Sequence, residues 1–336
     1  MKLVSYFKKD EIRSGLFIDN NVYDIEKTGA AMNAVLPASM LELLFMEEKA
    51  MADVAKIDKA IKSGTKATAV DNAQLAAPIP HPPSCRDAYA FRQHVATARR
   101  NRGVPMIPEF DQFPIFYFTN HHAIFGGGDI IVEEDHLYKL DFELEAAIVI
   151  GRHGKNISAK DADDYIAGFT IMNDLSARRL QMEEMKLNLG PAKGKDFATV
   201  IGPWLVTTDE LQDKKITTEN GNQYDLHMEA FHNGQKISDG NMKDMTWTFA
   251  EIIERVSYGA EIFPGDVIGS GTVGTGCYLE INGTRTLEAK EKGEDYEPVW
   301  LQDGDSIELT IEGLGRLSNR IVKSKDSYSI LDKKKG

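Results

Sequence analysis

The sequence predicts a mainly β chain with attached helices, an α+β class, and not a doubly wound sheet. Segments of alternating hydrophobicity outnumber segments with helical periodicity, and the two kinds do not alternate regularly. A proline-rich break at 76–83 separates a small N-terminal part from the rest. At 336 residues the chain exceeds the roughly 250 to 300 residues at which single cores stop growing, so two domains are expected.

Residues 1–75 read as a small α+β domain. Strands are expected over Lys2–Phe7 and Gly15–Ile25, the second turning at Asn20-Asn21. A helix follows over about Ser39–Ser63, where Leu41, Leu44, Phe45, Ala52, Val54 and Ile57 give an approximate apolar face. Pro78, Pro80, Pro82 and Pro83 then forbid helix and favour an extended linker over 76–83. The main domain is expected over 84–330. Its strands are Ile115–Thr119, Asp129–Glu133, Asp141–Gly151, Trp204–Thr207, Leu226–His232, Asp266–Ser270, Cys277–Ile281 and Ser306–Ile311. Its helices are Ser158–Tyr165, Ser176–Met185 and Thr248–Val256.

Composition narrows the function classes. The 42% hydrophobic and 27% charged residues are those of an ordinary globular protein, and no apolar run approaches the roughly 18 to 20 residues of a membrane span. The segment Met1–Asp10 regains charge before a signal-peptide core could form, so a cytoplasmic location is expected. A net charge of −13 repels phosphate backbones, and Lys333-Lys334-Lys335 is too small a patch to reverse that. Neither nucleic acid nor membrane is expected as a partner. Cys85 and Cys277 lack any C-x-x-C spacing, which predicts free thiols without a disulfide or a thiolate zinc site.

Acidic residues carry the first chemical signal. In Lys139-Leu-Asp-Phe-Glu-Leu-Glu-Ala-Ala-Ile-Val-Ile-Gly151 the period of two sets Asp141, Glu143 and Glu145 on one strand face. Like charges in a row repel, and a hard divalent cation makes the row favourable because Mg2+ and Ca2+ prefer carboxylate oxygen. The plain alternative is the solvated face of a half-buried strand. Asp174, in Thr170-Ile-Met-Asn-Asp-Leu-Ser-Ala-Arg178, is either a further acidic site residue or the N-cap of the helix after it. Arg178 and Gln181 stand four and seven residues beyond it, on the same helical face.

One motif points elsewhere. Gly269-Ser-Gly-Thr-Val-Gly274 formally fits G-x-G-x-x-G, which needs a helix straight after it to meet a pyrophosphate. Cys277-Tyr-Leu-Glu-Ile alternates like a strand, so a nucleotide-binding oxidoreductase is rejected.

Taken in order, the chain resembles the fumarylacetoacetate hydrolase family. The resemblance rests on Leu140-Asp-Phe-Glu-Leu-Glu145, on Met172-Asn-Asp-Leu-Ser-Ala-Arg178 with Gln181, and on Gly194-Lys-Asp-Phe-Ala-Thr199 before Pro203-Trp204. It continues through Pro264-Gly-Asp-Val-Ile268 to Gly271-Thr272, and runs from about Ala77 to near Val322. It implies a catalytic domain of mixed β-sheets rolled around the active site, and a homodimer.

The same resemblance implies roles. Glu143, Glu145 and Asp174 become metal ligands, with Asp87 as a fourth, for Mg2+ or Ca2+ and with Mn2+ as a third candidate. In Asp87-Ala-Tyr-Ala-Phe-Arg-Gln-His94, His94 becomes the catalytic base and Tyr89 a substrate contact. Glu280 matches the acid that orients the histidine, Thr272 and Tyr117 match substrate contacts, and Lys195 and Thr199 lie beside metal and substrate. Arg178, Gln181 and Lys195 would stabilise developing negative charge. The plain alternatives are a partly buried histidine for His94, packing for Tyr117, and solvated surface charges for Glu280 and Lys195.

The implied activity is metal-dependent hydrolysis of a carbon–carbon bond in a β-diketo acid of the fumarylacetoacetate or acylpyruvate type. The nearest rival is decarboxylation, isomerisation or dehydration/hydration of an α-keto acid by the same metal. Departures from the fumarylacetoacetase pattern loosen the substrate: Met185 replaces a tyrosine, and Arg99, Arg100 and Arg102 lie out of register with its substrate arginine.

Overall fold

The structure, a computed structural model, describes residues 1–326 and 328–334; Lys335 of the lysine tail lies outside them. Strands dominate, in two large sheets with helices attached.

At the N-terminus Lys2–Lys8, Glu11–Ile18 and Asn21–Asp24 form an antiparallel meander. Asp19 and Asn20, at φ 48° and 62°, make the tight turn between its last two strands, one residue earlier than expected. Asp24 then caps the helix Ile25–Ala31 by accepting from Lys27 N at 2.9 Å. The single helix expected over 39–63 is two, Met40–Phe45 and Glu47–Lys62. Glu47, at φ +49°, takes the left-handed conformation that ends the first.

Lys2–Lys8 pairs with Thr199–Thr207, so the meander extends the larger sheet. Inward from there the order is Thr199–Thr207, Ile166–Asp174, Leu144–Ile150, Val267–Gly269, Cys85–Ala88 and Phe116–Thr119. The sheet is mixed because Val267–Gly269 runs parallel to Cys85–Ala88, whereas their other neighbours on this path are antiparallel. A second sheet contains Gln235–Asn241, His227–His232, Ser306–Ile311, Gly315–Lys323 and Gly128–Val132.

The central strand Leu144–Ile150 is buried on both faces. Ala146, Ile148 and Ile150 join the core shared with Leu309 and Leu317 of the second sheet. Ala147 and Val149 join a core with Leu43, Val54 and Ile57 of the N-terminal helices.

This double burial corrects the expected acidic strand. Residues 141–151 do not form one strand: Leu140–Asp141 pairs with Ser176–Ala177, and the ladder resumes at Leu144. Between them Glu143 N donates to the Asn173 side chain at 3.0 Å instead of to a strand partner. Asp141, Glu143 and Glu145 are all buried, so none lies on a solvated strand face.

Two further differences matter for the site. Cys277–Ile281, expected as a strand, is the cap and first turn of the helix Tyr278–Lys292. Five alternating residues cannot separate a strand from a helical turn, and Asn282, Gly283 and Thr284 weaken the helical pattern downstream. The helix Arg92–Asn101 carries no sequence expectation at all, because its polar residues mask its short buried face at His94 and Val95.

Candidate active site

Four neighbouring strands of the large sheet bring the acids together. Glu145 is the second residue of the central strand, and Asp174 ends the antiparallel strand beside it, where Leu144 pairs with Asn173. On the other side Ala147 pairs with Gly269, and Gly269 with Asp87. Gly269 therefore stands between two carboxylates. A Cβ there would lie 2.5 Å from Asp87 Oδ1 and 2.9 Å from Glu145 Oε2. Only glycine leaves the space.

Asp87, Glu143 and Glu145 each offer an oxygen within 4.8 Å of the others. Asp174 joins this group through Lys195, whose ammonium lies 2.8 Å from Asp174 Oδ2 and also bonds Glu143 Oε2. The Tyr117 hydroxyl donates to the same Asp174 oxygen. Arg178 donates to Asp141 Oδ2 at 2.8 Å, to Glu143 Oε1 at 2.8 Å and to the Gln181 side-chain oxygen at 2.9 Å. Thr272 Oγ1 donates to Glu145 Oε1 at 3.3 Å, and Gly271 N to Asp87 Oδ1 at 3.1 Å. Thr199 lies behind, 3.4 Å from Thr119 between hydroxyl oxygens.

The electrostatics of this interior are unbalanced. Five buried carboxyl groups, of Asp87, Asp141, Glu143, Glu145 and Asp174, face two buried cations, Lys195 and Arg178. Glu143 is buried, which opposes its charge, but Lys195 and Arg178 outweigh that and bring its pKa down to about 2. At Asp87 the balance reverses: burial, then the charge of Asp174, outweighs the nearby Lys195 and pushes it up to about 7. Burial and the neighbouring Asp87 and Glu143 charges push Glu145 well above the usual carboxylate range, and burial likewise raises Asp174.

These features fit a divalent cation. Glu145 Oε2 and Asp174 Oδ1 are buried and have no hydrogen-bond partner among the described residues. An orphaned buried carboxylate oxygen is costly, and a hard cation satisfies it while relieving the repulsion that raises these pKa values.

Beside the acids stands a proton-transfer pair. His94, in the first turn of Arg92–Asn101, lies with Nδ1 2.7 Å from Glu280 Oε2, in the first turn of Tyr278–Lys292. The first turn that carries Glu280 donates its amides to Asp141, and Arg178 bridges Asp141 to Glu143, so pair and acids share one interior. Tyr89 meets His94 edge-on at 5.8 Å between ring centroids. Glu280 and Lys195 are buried, not solvated surface charges. Asp174 is not an N-cap: Ala177 caps Arg178–Glu184 without a side-chain bond.

Other sequence candidates fall outside. Arg99 and Arg102 donate to backbone carbonyls, Arg100 donates to Thr284 Oγ1, and Met185 is exposed. The glycine motif at 269–274 is not a phosphate cradle, although a helix does follow it. The first two amides of that helix, Tyr278 N and Leu279 N, donate to Asp141 at 2.7 and 2.9 Å, and Gly269 packs against carboxylates.

Sequence reasoning missed two participants: Asn173 holds the backbone of Glu143, and Gly269 makes room for the acids. The available signals were a polar Asn-Asp pair closing an apolar strand, and a glycine inside a strand. Asp141, placed by the sequence in the acidic row, instead ties Arg178 to the helix bearing Glu280.

Comparison with known proteins adds an independent line. Residues 84–322 match the family described as fumarylacetoacetate (FAA) hydrolase, C-terminal. The chain is similar to the oxaloacetate tautomerase YisK of Bacillus subtilis (strain 168), with 28% identity over 321 residues, 91% of this chain and 95% of that protein. It is similar to the mitochondrial oxaloacetate tautomerase fahd2 of Xenopus laevis, with 29% identity over 327 residues, 96% of this chain and 90% of that protein. Among solved structures it is similar to the fumarylacetoacetate hydrolase of Exiguobacterium antarcticum, with TM-score 0.69 and 25% identity, over 96% of this chain and 100% of that one.

Proposed function

The chain belongs to the fumarylacetoacetate hydrolase family, and from that premise we propose that it is a divalent-cation-dependent enzyme that tautomerises a β-keto diacid of the oxaloacetate type. The observation that carries this reading is the buried His94–Glu280 pair, joined at 2.7 Å, in the same interior as the Asp87, Glu143 and Glu145 oxygens. Two relatives that match nearly the whole chain and bear the name oxaloacetate tautomerase support it.

Asp87, Glu143, Glu145 and Asp174 would hold the cation. Once bound, it supplies a Lewis acid for the substrate carbonyl and fixes the adjacent oxygens of the keto acid. His94 donates through Nδ1 to Glu280, which leaves Nε2 as the base. Nε2 takes the proton from the carbon next to the carbonyl; the C–H electron pair becomes the C=C bond of the enol, and the C=O π pair passes to the carbonyl oxygen. The same imidazole returns the proton to that oxygen, so keto and enol forms exchange without gain or loss of atoms. Lys195 offers positive charge where the oxygen becomes negative. Arg178 commits its donors to Asp141, Glu143 and Gln181, and so acts as a positioning residue.

A second reading is hydrolysis of a β-diketo acid of the fumarylacetoacetate or acylpyruvate type, in which His94 takes its proton from water. The similarity to the Exiguobacterium hydrolase favours it. A substrate panel separates the two. Decay of the oxaloacetate enol should accelerate with enzyme, stop with a chelator and recover with Mg2+ or Mn2+, and His94→Gln should lower kcat by roughly 10² to 10⁴-fold. Cleavage of acylpyruvates with no effect on the oxaloacetate enol would replace the first reading with the second.

A further inference from the structure

Cys277 is a side chain beside the proton-transfer pair that neither reaction uses. Its sulfur, a ring nitrogen of His94 and a carboxylate oxygen of Glu280 all lie within 4.8 Å of one another, and all three residues are buried. Two packed helices build the trio. Cys277 is the N-cap of Tyr278–Lys292 and Glu280 stands three residues on, a spacing that turns both to one side. His94 comes from Arg92–Asn101, which packs against that helix.

The donor chemistry differs from that of the acidic cluster. There the donors are carboxylate oxygens, the choice of hard cations. Here they are one sulfur, one imidazole nitrogen and one carboxylate oxygen, a set that suits Zn2+ and still softer cations. Of the three, Glu280 also lines a cavity of about 440 Å³ with Ser238, Asp239, Thr275 and Arg285.

We propose that His94, Cys277 and Glu280 form a second, inhibitory metal site that takes Zn2+ or Cd2+ in preference to Mg2+. Each residue supplies one donor atom, and a water completes four-coordination. As the metal–sulfur bond forms, the thiol releases its proton to solvent, with no change in oxidation state. The inhibitory part rests on the proton-transfer role proposed above for His94, because a ring held by zinc cannot exchange protons. The site itself does not rest on it.

Cadmium titration of the full chain in excess Mg2+ tests both parts, read by the ultraviolet thiolate-to-metal charge-transfer band and by turnover. The chain has two cysteines, so Cys85→Ser leaves Cys277 as its only thiol. The band should saturate near one Cd2+ per chain in the wild type and in Cys85→Ser, and disappear in Cys277→Ser. Zinc inhibition should weaken roughly tenfold or more in Cys277→Ser. Absence of the band in Cys85→Ser would overturn the site even if Cys277→Ser fails to fold, and so would a band that persists in Cys277→Ser. A band without loss of turnover would keep the site and overturn both the inhibition and the catalytic role of His94.

Discussion

At the scale of single residues, Gly269 shows how an absent side chain makes room for a charged site. A methyl group there would meet Asp87 Oδ1 at 2.5 Å and Glu145 Oε2 at 2.9 Å, with Met172 Sδ at 2.8 Å closing the remaining side. Gly269→Ala should therefore push the carboxylates apart, lower divalent-cation affinity, and cost about 1–3 kcal/mol of stability. Calorimetric cation titration together with denaturant unfolding would check both effects. Unchanged cation affinity would show that the two acids do not act as one site. Residue identity was the most legible level of this chain. Glu143, Glu145, Asp174, His94 and Glu280 each lie in a run of consecutive motif residues, whereas Gly269 belongs to no motif but the formal nucleotide one. Its contacts come from strands far apart in the chain, which a local pattern does not encode.

At the scale of elements, Asp141 joins what the sequence keeps separate. It accepts the first two amides of Tyr278–Lys292 and the Arg178 guanidinium, all within the interior. Asp141→Ala would orphan two helix N-terminal donors and leave Arg178 with one fewer buried counter-charge. A loss of about 3–5 kcal/mol is expected by denaturant unfolding. Activity should fall as well, because Glu280 stands in the first turn of that helix.

The short helix Glu134–Leu137 carries a pH dependence of its own. Burial, then the charge of Lys193, brings the His136 pKa down to about 4, and Nδ1 accepts from Glu133 N at 3.1 Å while the ring stacks on Phe197. Its folded pKa lies below the unfolded value near 6.5, so the unfolded chain binds the extra proton first. Stability from the neutral ring is complete above about pH 6.5 and is lost progressively as pH falls toward 4, by about 3 kcal/mol. His136→Gln should flatten the dependence of unfolding free energy on pH in that window; an unchanged slope would contradict the assignment. Elements were only partly legible. Long alternating segments such as Ser306–Ile311 match their expected bounds, but the helix at Tyr278 and the break at Phe142-Glu143 were set by tertiary partners, Asp141 and Asn173.

At the scale of the molecule, one sheet runs from the N-terminal meander to the acidic centre. Its N-terminal helices cover Ala147, Val149, Met172, Ile201, Leu205 and Val267, apolar residues on four strands of the large sheet, two of which also carry Glu145 and Asp174. Deleting residues 1–75 would expose that apolar surface, and the remainder should aggregate or lose its cooperative melt. Light scattering with thermal unfolding reads this, and a monodisperse, cooperatively melting fragment would contradict it. The mainly β class was legible from strand count alone. The pairing of Lys2–Lys8 with Thr199–Thr207 was not, because nothing in either segment encodes a partner about 200 residues away.

We propose that the buried acids Asp87, Glu143, Glu145 and Asp174 form one divalent-cation site. Titration of Mn2+ into the full chain, followed by its paramagnetic resonance signal, tests it most directly. One site per chain is expected, with affinity reduced roughly tenfold or more in Glu145→Gln. No saturable site, or equal affinity in wild type and variant, would contradict the claim.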